Sequence, residues 1–169
     1  MLNSGLKLLL LIFILVLVAC AKPPPSPTCR IAKAFNADYK SPAGCLIRVQ
    51  NSLLVIKYSS SGQYDLPFGD PISNESAQCT AHRHTWEQTG FNVEVDQLLG
   101  VSQSGMMLFS CGLSSGFTRD DGPLEPPSWA NSDIQQIEFI SPFDTRYDVW
   151  QQPDNLIMYR DGFVAVGDD

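Results

Sequence analysis

The sequence is poor in basic residues and has no cluster of them. Lysine and arginine together number 11 against 18 aspartates and glutamates, which gives a formal net charge of -7 at pH 7. Proteins bind nucleic-acid backbones through clustered lysine and arginine side chains, so nucleic acid is not an expected partner. The sequence also lacks a Walker-type phosphate loop, a Ser-His-Asp arrangement and any internal repeat. These absences argue against P-loop hydrolases, serine hydrolases and repeat scaffolds.

No apolar run is long enough for a membrane span, which needs about 20 residues. The longest run, residues 8–18, follows Lys7 and ends in small residues and a cysteine. This order of a positive charge, a short apolar segment and small residues is typical of a signal peptide. We therefore predict a signal peptide over residues 1–19, and a permanent anchor helix is the weaker alternative.

The four residues Leu17-Val18-Ala19-Cys20 resemble the lipobox of bacterial lipoproteins. The resemblance implies cleavage before Cys20 and lipidation of that cysteine, whereas the alternative is an ordinary signal peptide with an incidental cysteine. Residues 20–30 are proline-rich and predict a stiff tether. Since Ala21 is not an aspartate, the resemblance favours the outer membrane. The expected location is the bacterial envelope, on its periplasmic side, with the lipid as the membrane contact.

The sequence has few cysteines, and no two have the CxxC-like spacing of a zinc cluster. Four remain beyond the lipobox: Cys29, Cys45, Cys79 and Cys111. In an oxidising compartment an even count predicts one or two disulfides, with three possible pairings left open. Buried free thiols are the alternative. Residues 31–169 are enough chain for a single domain with a buried core.

Strand patterns and one clear helix predict the fold class. Residues 43–49 and 52–58 are short and β-branched around Gln50-Asn51, which predicts a hairpin. Further strands are expected within 91–95, 98–104, 105–113 and 133–141, and a short helix within 141–162. The pattern indicates an α+β protein, an α/β/α sandwich with a mixed sheet.

Residues 77–88 are predicted to form the one clear helix. Ser76 is placed as its N-cap, Ala77, Ala81 and Thr85 form a stripe at every fourth position, and Gly90 stands where a left-handed residue ends a helix. The stripe is narrow, so we expect it to lie against a sheet and to leave a polar face free.

The segment from Gly69 to Phe91 resembles the Nudix box, G-x5-E-x7-R-E-U-x-E-E-x-G-U, in which U is aliphatic. The positions that match, with Phe91 a loose fit, are Gly69, Glu75, Arg83, Glu87, Gly90 and Phe91. Three positions depart: His84 and Gln88 replace glutamates, and Thr85 replaces the aliphatic residue. The likeness extends from about Ala43 to about Pro142 and implies the Nudix fold.

The resemblance implies a metal-dependent hydrolase of phosphoanhydride bonds in nucleoside-diphosphate-linked compounds. In that family the box glutamates and the carbonyl of the first glycine hold divalent metals, so Gly69, Glu87 and Gln88 are the expected ligands. The expected metal is magnesium or manganese, with zinc as the alternative if His84 is a ligand. Asp133 falls where some members place another acidic ligand or base. Since only one core glutamate is retained, the alternative is an inactive Nudix domain that binds a ligand or an envelope partner.

The remaining box residues have expected roles as catalytic or structural groups. His84, Glu87 and Gln88 share one helical face, and Arg83 is expected to orient Glu87. His84 is either a ligand or base, which would favour zinc or manganese over magnesium, or a relic in a site that no longer binds metal. The resemblance gives Glu75 a structural role in bracing the loop, and Gly90 is structural as the end of the helix.

Two other groups on and near this helix have simpler interpretations. His82 lies on another side of the helix and is expected at the surface. Trp86 and Trp129 could stack on a base or a sugar, but packing beneath neighbouring segments is the more ordinary role for such residues.

Overall fold

The computed structural model describes residues 24–36, 40–113 and 122–167. The predicted signal peptide (residues 1–19) and the lipidation site Cys20 lie outside the described residues. The described part of the predicted tether, up to residue 30, has no helix or strand. Within the described ranges, no helix combines the length and the apolar character needed to cross a membrane.

The described residues form eight strands, two α-helices and two short 3-10 turns. The strands are β1 (Ala43–Leu46), β2 (Arg48–Val49), β3 (Ser52–Tyr58), β4 (Tyr64–Asp65), β5 (Phe68–Gly69), β6 (Glu94–Val101), β7 (Met107–Gly112) and β8 (Ile134–Ile140). The helices are α1 (Ala77–Thr89) and α2 (Leu156–Val166), and the 3-10 turns are Tyr147–Val149 and Pro153–Asn155.

The strands form two small sheets. The first has the order β5-β1-β7-β6, in which β1 pairs parallel with β7 and antiparallel with β5, so the sheet is mixed. The second is antiparallel and is built around β3, which pairs with β2, β4 and β8. The short strand β5 ends at Gly69, so the first sheet leads directly into the loop before α1.

Alternating side chains of the strands supply two apolar cores on opposite faces. Leu54 and Ile56 of β3 pack in the core under α1, whereas Leu53 and Val55 pack in the core under α2. Successive residues of a strand point to opposite faces, so one strand serves both cores. The predicted α/β/α sandwich with a mixed sheet is confirmed.

Most predicted elements are present, with shifted boundaries. The hairpin forms with Gln50 at a φ of 54°, and α1 spans 77–89 with Gly90 at a φ of 75°. The predicted strands over 91–95 and 98–104 are wrong as separate elements, because one strand, β6, runs from Glu94 to Val101. The C-terminal helix ends later than expected, at Val166.

Two disulfides are present, Cys29–Cys79 and Cys45–Cys111. The prediction of one or two disulfides is therefore confirmed, and the alternative of free thiols is wrong for these four residues. Cys45–Cys111 joins β1 to β7 in the core, where Cys45 is fully buried. Cys29–Cys79 joins the N-terminal segment to the first turn of α1.

Candidate active site

Helix α1 is fixed at both ends and along its buried face. The Ser76 hydroxyl accepts a hydrogen bond from the Cys79 N–H at 3.4 Å, and the Gly90 N–H donates to the Trp86 carbonyl at 2.9 Å. Ala77 and Ala81 are buried at 2% and 0% exposure. Because these residues define the inner face, Arg83, His84 and Gln88 lie on another side of the helix, where they contact the backbone of residues 68–70.

Arg83 is the centre of the hydrogen-bond network on this polar face. Its guanidinium donates to the two carboxylate oxygens of Glu75 at 2.8 and 2.9 Å, to Glu87 Oε2 at 3.0 Å and to the Asp70 carbonyl at 2.8 Å. The hydrogen bond to Glu75 is the largest contribution that raises the pKa of Arg83, against an opposing effect of burial. Arg83 therefore ties the loop to the helix and fixes the position of Glu87.

Glu75 is occupied as a brace for the loop. Besides Arg83, its Oε2 accepts hydrogen bonds from the Ile72 N–H at 3.1 Å and the Thr80 hydroxyl at 3.0 Å. Burial alone would raise the pKa of Glu75, but hydrogen bonds from Arg83, Ile72 and Thr80 outweigh burial and lower it. These contacts match the structural role expected for Glu75 and leave little of its carboxylate for a ligand.

His84 packs its ring directly over Gly69. A Cβ added to Gly69 would overlap the His84 ring, so residue 69 has to be glycine while His84 keeps this position. His84 Nε2 lies 2.9 Å from the Asp70 carbonyl, which can only accept, and 3.2 Å from Arg83 Nη2, which can only donate, so the two contacts require opposite tautomers of a neutral ring. Its Nδ1 faces Glu87 Oε2, 3.4 Å away.

This pairing of Nδ1 with a carboxylate oxygen is the main chemical feature of the site. A ring with hydrogen on Nδ1 donates to the carboxylate, whereas a ring with hydrogen on Nε2 presents its Nδ1 lone pair beside the carboxylate oxygen, where the two atoms can bind one metal ion. The Glu87 side chain is 42% exposed, so the pair is open to solvent on one side. Within the described residues, no three or more His, Cys, Asp or Glu side chains form a group that could hold a metal by themselves.

Gln88 faces the same loop but is already paired there. Its Oε1 accepts from the Phe68 N–H at 3.1 Å, and its Nε2 donates to the Phe68 carbonyl at 2.9 Å. The amide therefore completes the backbone hydrogen bonding at β5, where a carboxylate could accept but could not donate. Gln88 as a metal ligand stays a prediction, and in this arrangement its oxygen is occupied.

Asp133 lies apart from Arg83, His84 and Glu87. Its carboxylate accepts hydrogen bonds from the hydroxyl of Ser59 at 2.8 Å and from the N–H and hydroxyl of Ser60 at 2.9 and 2.8 Å. These hydrogen bonds lower its pKa, and they hold it to the turn after β3. Among the described contacts, none joins Asp133 to α1, so its predicted role as an additional ligand or base has no support here.

The expectation that His82 lies at the surface is wrong. His82 is 1% exposed, and its Nε2 pairs with Asn92 Oδ1 at 2.9 Å. Trp86 and Trp129 stack on each other with ring centroids 5.3 Å apart, which agrees with the packing alternative. Sequence reasoning missed the Asp70 carbonyl as the common acceptor for Arg83 and His84, because a main-chain atom gives no signal in residue type.

No family model matches the chain. A MutT-like protein from Streptomyces ambofaciens is 33% identical over 98 residues, which is 55% of this chain and 64% of that protein, so the match spans less than two thirds of the relative.

Solved structures resemble this chain over most of its length. An ADP-ribose pyrophosphatase from Streptococcus suis aligns with a TM-score of 0.60 at 16% identity, over 77% of this chain and 93% of that one. A Nudix hydrolase from Nitrosomonas europaea aligns with a TM-score of 0.56 at 18% identity, over 80% and 76% of the two chains. An Ap4A hydrolase from C. elegans aligns at 0.54 and 15% identity, over 74% and 96%. The chain therefore has the Nudix fold.

Proposed function

We propose that this protein is a Nudix-type hydrolase of phosphoanhydride bonds in nucleoside-diphosphate-linked compounds. The observation that carries the proposal is the network in which Arg83 holds Glu87 beside His84, next to the Gly69 loop. The proteins named above as an ADP-ribose pyrophosphatase and an Ap4A hydrolase share this fold and support the substrate class.

The Nudix fold implies a divalent metal, and two donor atoms of the site are spaced to bind one. His84 Nδ1 and Glu87 Oε2 lie 3.4 Å apart, close to the ~3.4 Å separation of two donors bound to one tetrahedral ion at about 2.0–2.1 Å. A nitrogen donor suits zinc or manganese, whereas magnesium prefers oxygen ligands in octahedral geometry. The pair therefore fits an ion that accepts nitrogen ligands. The other ligands of that ion would come from groups other than His84 and Glu87.

The chain's own residues would then hold the ion and keep the loop around it in place. Glu87 and His84 would hold the ion, Arg83 would fix the Glu87 carboxylate, and Gln88 would keep the Phe68 backbone and the Gly69 loop in place. When bound, the ion supplies positive charge that polarises a phosphate group and activates water for attack. Glu75 would act as a brace for the loop.

Glu87→Gln is expected to lower turnover of such a compound by at least about 100-fold, because the substitution removes the carboxylate that Arg83 holds beside His84. The measurement is phosphate or nucleotide release by the full chain with magnesium, manganese or zinc. Glu94→Gln at the exposed start of β6 makes the same change of charge outside the site and is the matched control. Full activity in Glu87→Gln would refute the assigned role of Glu87.

A catalytically silent domain that binds a ligand or an envelope partner is the second candidate. The occupation of Gln88 by Phe68 favours it, as does the absence of a group of three or more ligating side chains in the described ranges. Calorimetric titration separates the two candidates. If the protein is a hydrolase, we expect it to bind manganese or zinc, and we expect His84→Ala to bind the same ion more weakly. If magnesium, manganese and zinc all fail to bind, the silent domain is favoured.

We also propose that the protein is lipid-anchored at Cys20 in the bacterial envelope. The two disulfides support an oxidising compartment, where such bonds persist. Mass spectrometry of the N-terminal peptide from the native membrane is expected to find an acylated Cys20 and no residues 1–19, and Cys20→Ser is expected to abolish acylation. An intact, unmodified N-terminus would contradict the anchor.

A further inference from the structure

Residues 29–35, called here the N-terminal strap, are joined to the edge of the first sheet. The Ala32 N–H donates to the Val95 carbonyl at 2.9 Å, and the Val95 N–H donates to the Arg30 carbonyl at 2.9 Å. Ile31 forms a parallel bridge with Val95. The strap therefore pairs alongside β6, the edge strand of the first sheet, in a region that lies beside α1 in the fold.

The strap also contacts the back of helix α1 through Gln78. The Gln78 side chain accepts from the Phe35 N–H at 2.8 Å and donates to the Lys33 carbonyl at 2.8 Å and the Asp96 carbonyl at 3.1 Å. Gln78 is only 4% exposed. Without the strap, two of these three hydrogen bonds would be lost by a buried amide, which is unfavourable.

A second path joins the strap to the helix one turn later. Arg30 Nη1 donates to the Asn92 carbonyl at 3.3 Å, and the Asn92 side chain pairs with His82 at 2.9 Å. Gln78 and His82 lie at i and i+4, on a face turned away from Glu87. The strap therefore supports α1 from behind, while the polar face carries the site.

The covalent part of this support is the Cys29–Cys79 disulfide. Cys79 lies one turn before Arg83, in the first turn of the helix that carries the site. Both cysteines are partly exposed, whereas Cys45 and Cys111 are 0% and 6% exposed in the core. Since reduction requires direct attack on sulfur, the two disulfides of this chain differ in access to a reductant.

We propose that the N-terminal strap is a redox-releasable clamp that positions helix α1 through the Cys29–Cys79 disulfide and the Gln78 hydrogen bonds. Reduction of Cys29–Cys79 leaves the strap held by its hydrogen bonds alone, so the strap and the helix with Arg83 and Glu87 then open more often. The clamp itself depends only on the contacts above, and its effect on catalysis depends on the proposed hydrolase function. The Cys45–Cys111 disulfide stays closed and keeps the core intact.

The chemical step is thiol–disulfide exchange with a dithiol. A thiolate of the reagent attacks one sulfur of Cys29–Cys79, forms a mixed disulfide and releases the other cysteine as a thiolate. The second thiol of the reagent then displaces the remaining cysteine. Two electrons pass to the protein, two protons complete the two cysteine thiols, and the reagent becomes a cyclic disulfide.

The test is hydrogen exchange of the oxidised full chain during titration with dithiothreitol. Alkylation and mass spectrometry assign which disulfide is open at each concentration. Cys29–Cys79 is expected to open first, and backbone amides of residues 77–89 are then expected to exchange about tenfold faster or more. The Cys29→Ser/Cys79→Ser variant is expected to exchange fast at every dithiol concentration, while amides of β7 stay slow in both proteins.

The outcomes keep the clamp and the hydrolase function apart. Faster exchange in α1 without any turnover would support the clamp and count against the hydrolase function. The clamp would be overturned if exchange in α1 is unchanged after Cys29–Cys79 opens or in the double variant. This holds whether or not the protein shows turnover. Opening of Cys45–Cys111 before Cys29–Cys79 would also overturn it.

Discussion

Replacing Arg83 with alanine is expected to lower the free energy of unfolding by about 2–4 kcal/mol, because it leaves a poorly exposed carboxylate without its partner. The Arg83 and Glu75 side chains are 14% and 11% exposed, and the guanidinium contacts both Glu75 oxygens as well as Glu87 and the Asp70 carbonyl. The loss of these contacts would free the loop and misplace Glu87. Stability is measured by urea unfolding at pH 7.

The control for Arg83→Ala is the exposed ion pair of Arg146 and Asp148. Its nitrogen and oxygen are 3.0 Å apart, the same distance as between Arg83 and Glu87, but the two side chains are 79% and 49% exposed. Exposed pairs of this kind contribute little, so Arg146→Ala is expected to change stability by less than about 1 kcal/mol. Equal effects of the two substitutions would contradict the assigned role of Arg83 in holding the loop.

Asp65→Asn is expected to remove a fall in stability that the native protein undergoes between about pH 4 and pH 6. Asp65 is fully buried; its Oδ1 accepts from the Tyr159 hydroxyl at 2.7 Å and the Leu66 N–H at 2.8 Å. Its Oδ2 is buried and has no hydrogen-bond partner among the described residues. Burial raises the pKa of Asp65 to about 6, against the opposing hydrogen bonds from Tyr159 and Leu66.

The sign of this pH effect follows from proton binding. Between the ordinary aspartate pKa of 3.8 and about 6, the folded chain holds a proton that the unfolded chain has lost. The stabilisation from Asp65 is therefore complete below about pH 4 and is lost as pH rises through 6. A shift of about two units corresponds to a loss on the order of 3 kcal/mol.

Urea unfolding at pH 4, 5, 6 and 7.5 checks this prediction by comparison of the native chain with Asp65→Asn. The difference between the two curves isolates Asp65 from the other carboxylates. Tyr159→Phe removes a donor that lowers the Asp65 pKa, so it is expected to move the fall to higher pH. Parallel curves for the native chain and Asp65→Asn would show that Asp65 stays ionised in the folded state.

Helix α1 could be predicted from the sequence because its signals are local. Ser76, the alanine stripe and Gly90 are each within the helix or next to it, and the structure places them as the pattern predicts. The C-terminal helix was harder, since Gly162 lowers helix propensity in its middle. In the structure a Cβ at Gly162 would lie 2.9 Å from Leu46 Cδ1, so glycine permits close packing on the sheet.

The candidate site could be predicted only in part, because its pairings run between distant residues. Arg83 and Glu87 are four residues apart on one helix, and their contact follows from helix geometry. His82 is buried by a partner ten residues away, and Gln88 is occupied by a backbone twenty residues away. Neither partner is visible in a helical pattern, so these two positions could not be assigned from periodicity.

The measurement that tests the proposed activity most directly is phosphorus NMR of nucleoside-diphosphate-linked compounds incubated with the full chain. Each compound is incubated with magnesium, manganese or zinc, and the metal is removed on a chelating resin before the spectrum is recorded, because paramagnetic manganese broadens phosphorus resonances. The account predicts loss of the diphosphate resonances and growth of phosphomonoester resonances, with manganese or zinc more effective than magnesium. Unchanged spectra in every combination, from a chain that unfolds cooperatively in urea, would contradict the hydrolase function and leave a Nudix fold that binds without cleaving.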